Sequence, residues 1–298
     1  MLLRLGLGIA DRIVTVLPPR AAYALADLGG ETWHRLAPQR RRLVAANLAR
    51  VCAATARPTR GSAFEALVRS AFRNHARYYA ELLRAAHYEP ARISETVAVP
   101  EWPAFERMMR GRPAILVTSH TGNFEPFGAF LAAHGLRALA PVEEIEPREL
   151  FDFIAARRGA GLVELVPMRN ARSALSRRLR DNGLVGIIGD RLLGGAGHPV
   201  TMFGHPTQVP LGPAMLAVTH GAGVLVGRCL RVGPDRFEAR GTEIDVPSTG
   251  NRRADVAALT EAIAARFERD IGEAPEQWWG AFQPFWPDLQ GVTPDPAA

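Results

Sequence analysis

The sequence predicts an α/β protein in which a mixed, largely buried sheet is flanked by helices, with a helical region at the amino terminus. Residues 1–90 contain amphipathic stretches with apolar residues at helical spacing. From about residue 100, short β-prone runs alternate with helical segments. This alternation favours a sheet covered by helices, and the apolar character of the runs is typical of buried strands.

The elements follow in order along the chain. Pro18 and Pro19 and the arginines at 40–42 separate the amino-terminal helices, which include residues 43–52 and 64–84. We divide the chain into a helical, membrane-associating region, 1–90, packed on an α/β core, 91–290, which together form one structural domain. The later predicted elements are strand 114–118, a helix to 133, strand 139–142, helix 147–158, strand 162–166, helix 171–180, strands 184–188 and 224–230, and helix 254–271.

Composition narrows the function classes. The chain has 298 residues, a net charge of +6 and 47% hydrophobic residues, which argues against disorder and predicts anionic partners. Its basic residues are all arginine, whose planar donors suit phosphate. The arginines are scattered and no aromatic-rich basic motif accompanies them, so nucleic acid is not the predicted partner. Cys52 and Cys229 are far apart, which argues against a disulfide framework or a cysteine zinc site.

The amino-terminal segment, 1–18, is apolar, with Arg4, Asp11 and Arg12 close to one side of a helical wheel. It lacks the run of about 18 apolar residues that a membrane-spanning helix needs. It also lacks the cleavage site of a signal peptide. Two interpretations remain: a helix lying in the membrane interface, or an amphipathic helix packed on the domain.

A possible catalytic pair lies where the predicted strand 114–118 ends. His120 precedes a Gly122-Asn123 turn that opens a helix, and Glu125 lies five residues further on. From the first turns of that helix the carboxylate can reach back to a ring nitrogen of His120, leaving the other nitrogen to accept a proton. The spacing alone is no more frequent than chance. The position at a strand end adds support to a catalytic base, while on the residues alone a turn histidine that caps the helix stays the favoured interpretation.

A second polar pair, Asp190 and Arg191, follows the predicted strand 184–188 and leads into a glycine-rich loop running to about residue 204. The arginine could hold a phosphate or pantetheine group, but on spacing alone an ordinary surface ion pair and a turn are the favoured interpretation. Pro213 is predicted to lie in the first turn of a helix. The absence of a GxSxG motif argues against a serine α/β-hydrolase, and the absence of lysine excludes a Walker loop and a Schiff base.

Taken in order, these stretches resemble the bacterial late lipid A acyltransferases (lauroyl and myristoyl transferases) and the related phosphatidylinositol mannoside acyltransferases. The resemblance covers most of the chain. Its residues are Arg40–Leu48 (RRRLVAANL), 77–81 (RYYAE), 120–125 (HTGNFE), 189–191 (GDR), 203–204, 210–214 (PLGPA) and 275–278 (PEQW). Leu192 departs from the acidic residue expected there in the mannoside enzymes.

The resemblance implies a glycerolipid acyltransferase-like fold with His120 and Glu125 as catalytic residues. It implies substrate-binding roles for Asn123, Arg157, Asp190 and Arg191. The donor would be a fatty acyl thioester on coenzyme A or acyl carrier protein, and the acceptor a hydroxyl of a glycolipid or lipid. The enzyme would use no metal and no other cofactor and would bind the cytoplasmic face of the inner membrane as a peripheral or monotopic protein.

Two alternatives use the same residues differently. An acyl thioesterase or lipid hydrolase would direct the base at water instead of an acceptor alcohol. A non-catalytic lipid-binding homologue would keep the fold and bind lipid without turnover.

Overall fold

The computed structural model describes residues 2–144, 146–158, 163–192, 194 and 197–292. Within them lie eleven α-helices, nine strands and three short 3-10 segments. The helices are α1 (Leu2–Val16), α2 (Pro19–Leu36), α3 (Pro38–Ala54), α4 (Gly61–Ala85), α5 (Pro90–Thr96), α6 (Trp102–Met109), α7 (Phe124–Ala133), α8 (Arg148–Arg158), α9 (Met168–Arg180), α10 (Gly212–His220) and α11 (Arg252–Glu273). The strands are β1 (Val97–Ala98), β2 (Ala114–Thr118), β3 (Ala138–Val142), β4 (Glu164–Pro167), β5 (Leu184–Ile188), β6 (Gly197–Met202), β7 (His205–Pro210), β8 (Gly223–Gly233) and β9 (Arg236–Ile244). The 3-10 segments are η1 (Pro275–Gln277), η2 (Trp279–Phe282) and η3 (Pro287–Val292).

Seven strands form one mixed sheet in the order β1-β9-β8-β2-β5-β3-β4. Neighbours from β8 to β4 are parallel, whereas β9 runs antiparallel to β8. The sheet with its flanking helices confirms the predicted fold class. β5 lies between β2 and β3, although β3 follows β2 along the chain. This order brings the carboxyl ends of β2 and β5 side by side, and the site is built there.

The sheet separates two apolar cores. Ile115 and Val117 of β2 face a core shared with α3, α4 and α9 to α11, and Ala114 faces a second core formed with α5 to α7. Successive residues of β2 thus point to opposite faces of the sheet, and an apolar core covers each face, as expected of a strand buried on both sides. The buried character of β2 fixes its register and therefore the point at which the chain leaves the sheet.

Most predicted elements agree with the structure to within a few residues. β2 and β5 have the predicted bounds, and Pro213 lies in the first turn of α10. Residues 1, 162, 193, 195 and 196, on which parts of the predicted elements and of the glycine-rich loop fell, lie outside the described residues. The sequence analysis did not identify β1, β9 or α6.

The predicted glycine-rich loop was wrong over its second half, where β6 and β7 form an antiparallel hairpin. Phe203 and Gly204 make its two-residue turn, with φ angles of 53° and 76°. Two consecutive positive φ values are typical of the hairpin turns whose twist matches that of the strands. Pro199 and Pro206 obscured the strand pattern, because proline is uncommon inside strands.

The amino-terminal helix is held against α4 and α8 by polar contacts. The buried Arg84 guanidinium donates hydrogen bonds to the carbonyl oxygens of Val14 (2.6 Å) and Leu17 (2.9 Å) at the end of α1. Asp11, which is also buried, forms an ion pair with Arg157 (2.5 Å). A cation at a helix carboxyl terminus satisfies carbonyls that have no partner within the helix. α1 therefore packs on the domain through Asp11 and Val14.

Candidate active site

The pairing of β2 with β5 places His120 beside Asp190. The two strands are parallel, with Thr118 opposite Ile188, and each polar residue comes two positions after its strand ends. The Gly189 N–H donates to the Thr118 carbonyl oxygen (2.8 Å), which continues the pairing beyond the strands. Both side chains thus lie at the carboxyl edge of the sheet, where α/β folds commonly bind ligands.

Asp190 is the hydrogen-bond partner of the His120 ring. Its Oδ1 contacts Nδ1 of His120, and its Oδ2 accepts from the His120 backbone N–H (3.0 Å) and from Nε1 of Trp278 (3.2 Å). Burial alone would raise the pKa of this fully buried carboxyl. The His120 ring and the hydrogen bonds to the carboxylate outweigh burial and hold the pKa of Asp190 below its usual value.

This contact determines which nitrogen of His120 can act as a base. An ionised carboxylate only accepts hydrogen bonds, so it favours the tautomer with the proton on Nδ1. Nε2 then carries the lone pair, and it has no hydrogen-bond partner among the residues that the structure describes. The His120 side chain is 10% exposed, so the ring is largely shielded without being sealed off.

Trp279 covers the His120 ring. The two ring centroids are 4.3 Å apart with an interplanar angle of 85°, and the Trp279 N–H donates to the His120 carbonyl oxygen (2.9 Å). Tyr78 stacks on the other side of Trp279 at 4.9 Å. Backbone and aromatic contacts together fix the ring plane of His120. The sequence motifs did not connect Trp279 with the site.

The turn between His120 and α7 requires glycine at position 122. Gly122 has a φ of 71°, and a Cβ atom there would overlap the Cys229 carbonyl oxygen of β8. The Gly122 N–H donates to the Gln277 carbonyl oxygen (2.9 Å), and the Asn123 N–H donates to that of Cys229 (2.7 Å). The turn between His120 and α7 is therefore held between β8 and η1 by backbone hydrogen bonds.

Asn123 caps α7 instead of facing an open site. Its Oδ1 accepts from the Glu125 N–H (3.0 Å), and its Nδ2 donates to the Glu81 carboxylate (2.8 Å). The side chain is fully buried. Both ends of the amide are used within the protein, so the residue predicted to bind substrate supports the helix start in this structure.

Glu125 is not the partner of His120 in this structure, contrary to the prediction that it orients the ring. Its Oε1 accepts from Nε of Arg158 (2.7 Å) and from the Tyr78 hydroxyl (3.1 Å). Arg158 also donates to that hydroxyl through Nη2 (2.6 Å). A buried carboxylate is most strongly stabilised by a guanidinium, and Arg158 at the end of α8 supplies one.

The pKa shifts of Arg158 and Tyr78 are consistent with an ion pair between Arg158 and Glu125. Burial lowers the pKa of Arg158, but the carboxylate of Glu125 and the Tyr78 hydroxyl more than compensate, and the net shift is upward. Burial also raises the pKa of Tyr78 and keeps its hydroxyl neutral. Glu125, Arg158 and Tyr78 thus form a rigid wall next to the His120 turn.

The two remaining predicted arginines differ in their surroundings. Arg157 pairs with Asp11 and lies over the Phe153 ring at 4.4 Å, so the structure uses it to hold α1. Arg191 directly follows Asp190 and is half-buried. Of the six predicted site residues, the structure therefore places His120 and Asp190 in contact and Arg191 beside them, with Glu125 and Asn123 behind the turn.

The site contains a base without a protein nucleophile next to it. Within the described residues, neither ring nitrogen of His120 contacts a serine or cysteine side chain, and the Ser119 hydroxyl donates to that of Thr121 (2.8 Å). Cys229 is buried, which raises the pKa of its thiol. The described residues contain no group of three side chains suited to hold a metal ion. The arrangement can activate an external hydroxyl by accepting its proton.

Comparison with known proteins identifies the family of this chain. The model of the bacterial lipid A biosynthesis acyltransferase family matches residues 3–286. A phosphatidylinositol mannoside acyltransferase of Mycobacterium tuberculosis is 32% identical over 229 residues, which cover 74% of this chain and 70% of that protein. Its counterpart in Mycolicibacterium smegmatis is 30% identical over 230 residues, covering 74% and 72%.

The match to the family model runs through the α/β core and includes both strand ends that carry the His120 site. It also agrees with the resemblance found from the sequence motifs. The chain belongs to the bacterial lipid A biosynthesis acyltransferase family and is an O-acyltransferase that acts in lipid biosynthesis.

Proposed function

We propose that this enzyme moves a fatty acyl group from a thioester donor, acyl-CoA or acyl carrier protein, to a hydroxyl of a glycolipid acceptor. The observation that carries the proposal is the contact between Asp190 and Nδ1 of His120, which leaves Nε2 free as a base. Both relatives are phosphatidylinositol mannoside acyltransferases, which favours an acceptor of that type over one of the lipid A type.

In the proposed reaction, the acceptor hydroxyl gives its proton to Nε2 of His120 while its oxygen attacks the thioester carbonyl carbon. The tetrahedral intermediate collapses with cleavage of the carbon–sulfur bond, and the leaving thiolate takes the proton back from Nε2. The carboxylate of Asp190 stabilises the imidazolium that exists between the two steps. Asp190 is thus a positioning residue, and the nucleophile belongs to the acceptor. The reaction requires no metal or redox cofactor.

Arg191 remains our candidate for holding the donor. It is half-buried beside Asp190, at the strand end where the thioester has to approach His120. A guanidinium there would pair with a phosphate of the pantetheine-bearing donor. Asn123 loses this role, because both ends of its amide are engaged within the protein. Arg157 pairs with Asp11 through Nε and Nη2, which leaves Nη1 outside that pair, so it stays a second candidate.

We further propose that the protein binds the cytoplasmic face of the inner membrane through α1 and α2. Ile9, Ile13 and Val16 of α1 are 51%, 44% and 68% exposed, whereas Asp11 on the same helix is buried. An amphipathic helix that turns its apolar side to the outside suits the membrane interface. None of the described helices is long and apolar enough to cross a bilayer. We propose that both interpretations of this segment apply: Asp11 and Val14 pack on the domain, while Ile9, Ile13 and Val16 are exposed.

The experiment that tests the proposed function follows the fate of a labelled acyl chain. Purified protein is given radiolabelled palmitoyl-CoA with and without a phosphatidylinositol mannoside acceptor. We expect label in the acceptor lipid, and only slow release of free fatty acid. Free fatty acid formed at the same rate with and without acceptor would favour the hydrolase, and lipid co-purification without turnover would favour the non-catalytic homologue.

A further inference from the structure

The helix α8 ends next to the His120 site but has no buried side. Every residue of α8 keeps part of its surface exposed, whereas α9 buries Ala171, Leu175 and Leu179. A helix of a globular protein is normally held in place by an apolar stripe that faces the core. Because α8 receives less of this stabilisation, its position depends more on its polar contacts.

Two consecutive arginines tie α8 to other helices. Arg157 pairs with Asp11 of α1 through Nη2 (2.5 Å). Arg158 donates hydrogen bonds to Glu125 of α7 (2.7 Å) and to the Tyr78 hydroxyl of α4 (2.6 Å). Among the residues described, no other side chain of α8 forms a hydrogen bond or an ion pair with another helix. The end of α8 is therefore fixed between α1 on one side and the wall of the His120 site on the other.

The ion pair between Asp11 and Arg157 is shielded from solvent. The two side chains are 11% and 24% exposed, so water and salt screen this pair less than a surface ion pair. The Asp11 carboxylate also lies 3.4 Å from Nε2 of His87, whose side chain is 51% exposed. Arg84 binds two carbonyl oxygens at the end of α1 and does not depend on Asp11. α1 thus keeps an anchor when the Asp11 carboxylate is removed, and α8 loses one.

A series of contacts leads from the end of α8 to His120. It begins at the Tyr78 hydroxyl, which Arg158 contacts. The Tyr78 ring stacks on Trp279 with a centroid distance of 4.9 Å, and Trp279 covers the His120 ring at 4.3 Å. Closely packed side chains cannot move independently of one another. A shift of Arg158 therefore moves Tyr78 and, through Trp279, changes the space around the His120 ring.

We infer that Asp11 of α1 is a positioning residue for the catalytic base. It holds Arg157 and thereby fixes the end of α8. The end of α8 keeps Arg158 against Tyr78, whose ring stabilises the orientation of His120 through the aromatic contacts just described. The inference rests on the proposed function in one respect, that His120 is the base. It connects the base with the helix whose exposed apolar side we propose for the membrane contact.

The expected effect on catalysis is moderate and concerns kcat. Asp190 contacts Nδ1 of His120 without any contribution from α8, so the tautomer of the ring is kept when α8 shifts. The orientation of the ring towards the acceptor changes instead, and small displacements of a catalytic group lower the rate of the chemical step. For D11N we therefore expect a kcat roughly tenfold below that of the wild type.

The test compares D11N with D27N in the full-length protein, using transfer of labelled palmitoyl-CoA to the lipid acceptor. Asp27 pairs with Arg77 between α2 and α4 (2.5 Å), so D27N breaks a similar ion pair that does not involve α8. We expect D11N to lower kcat with the KM for both substrates nearly unchanged, and D27N to keep the kcat of the wild type. Binding to anionic vesicles should be unchanged in D11N, because the exposed apolar residues of α1 are intact.

A double-mutant cycle separates an effect through Tyr78 from a general loss of stability. Y78F removes the hydroxyl that Arg158 contacts and keeps a ring that can stack on Trp279. If Asp11 acts through this hydroxyl, D11N should lower kcat no further in the Y78F background. Independent effects would multiply instead.

F153L tests the same contact without changing Asp11. The Arg157 guanidinium lies over the Phe153 ring at 4.4 Å, and leucine removes this ring without leaving a charge unpaired. We expect a several-fold lower kcat with little change in urea unfolding. If D11N does not fold, F153L decides the question alone.

A kcat equal to that of the wild type in folded D11N would overturn the inference. So would an effect of D11N confined to KM, because Arg157 would then act only on the donor. Losses that multiply when D11N and Y78F are combined would also overturn it. These results differ from a failure of the proposed function, which near-wild-type transfer by folded H120A would show.

Discussion

Replacement of Asp190 by asparagine removes one charge from the His120 site while keeping the shape of the side chain. The carboxylate has three hydrogen-bond partners: Nδ1 of His120 on Oδ1, and the His120 N–H and Trp278 Nε1–H on Oδ2. An amide offers one acceptor oxygen and one donor NH2 group. If the oxygen faced Nδ1, the NH2 group would point at two donors and both hydrogen bonds would be lost. We therefore expect the oxygen to stay with the two N–H groups.

In that orientation the amide NH2 group faces Nδ1 of His120 and donates to it. The proton of the neutral ring then moves to Nε2, the nitrogen that has to accept the proton of the acceptor. All three hydrogen bonds survive, so the fold should be little affected, but the base is in the wrong tautomer. In the catalytic triad of serine proteases, the equivalent change lowers kcat by about 10⁴. We expect a loss of 10³ to 10⁴, about 4–5.5 kcal/mol of transition-state stabilisation.

The assay is the initial rate of transfer from labelled palmitoyl-CoA to the lipid acceptor, measured for D190N and for D181N. Asp181 is an exposed residue in the turn after α9, and its variant controls for the loss of a carboxylate elsewhere. Urea unfolding of both variants checks that each is folded. A folded D190N enzyme with kcat within about tenfold of the wild type would refute the assignment of Asp190 as the residue that orients His120.

Three further predictions concern the surroundings of the site. E125Q should lower the free energy of unfolding by about 2–3 kcal/mol, because it leaves Arg158 without its carboxylate. The loss is moderate because the Arg158 side chain is 19% exposed and can still be hydrated. A difference in urea unfolding below about 0.5 kcal/mol would contradict the pairing. G122A should lower the free energy of unfolding by at least about 1–3 kcal/mol, because position 122 has a positive φ and a Cβ there overlaps Cys229. G29A, which has open space around it, should leave the free energy of unfolding nearly unchanged. Equal stability of the two variants would exclude the strain argument. I9N and I13N should each weaken binding to anionic vesicles roughly tenfold in a co-sedimentation assay. M215N, on the exposed side of α10, should leave this binding unchanged. Unchanged vesicle binding of I9N and I13N would show that α1 does not contact the membrane.

Much of the site could be predicted from local pattern, because His120 follows a short buried strand. The strand β2 is apolar throughout and is followed by Gly122 and Asn123, which signal a turn and a helix cap. These features depend only on neighbouring residues. The position of His120 just after a strand and the start of α7 were therefore predicted correctly, and the role of His120 as the base stays a prediction.

The partner of His120 could not be predicted in the same way. Strands that follow each other in sequence are usually neighbours, so β3 is the expected neighbour of β2. The insertion of β5 between them depends on packing across the whole sheet, and it is what carries Asp190 to His120. The sequence analysis noted Asp190 at a strand end but gave the orienting role to Glu125, which is nearer along the chain.

The contacts of Glu125 depend on residues equally distant in sequence. Tyr78 lies on α4 and Arg158 at the end of α8, and neither has a spacing relation to residue 125 that a motif could reveal. Trp278 and Trp279 likewise reach the site from the far end of the chain. Residues from distant parts of the chain thus surround the carboxyl end of β2.

The most direct test of the central claim is acyl transfer by a folded H120A variant. Nε2 of His120 is the only group that we assign to accept the proton of the acceptor, and alanine removes it without adding bulk. We predict a loss of at least about 10³ in kcat, with urea unfolding close to that of the wild type. Transfer by folded H120A at a rate near that of the wild type would contradict the account.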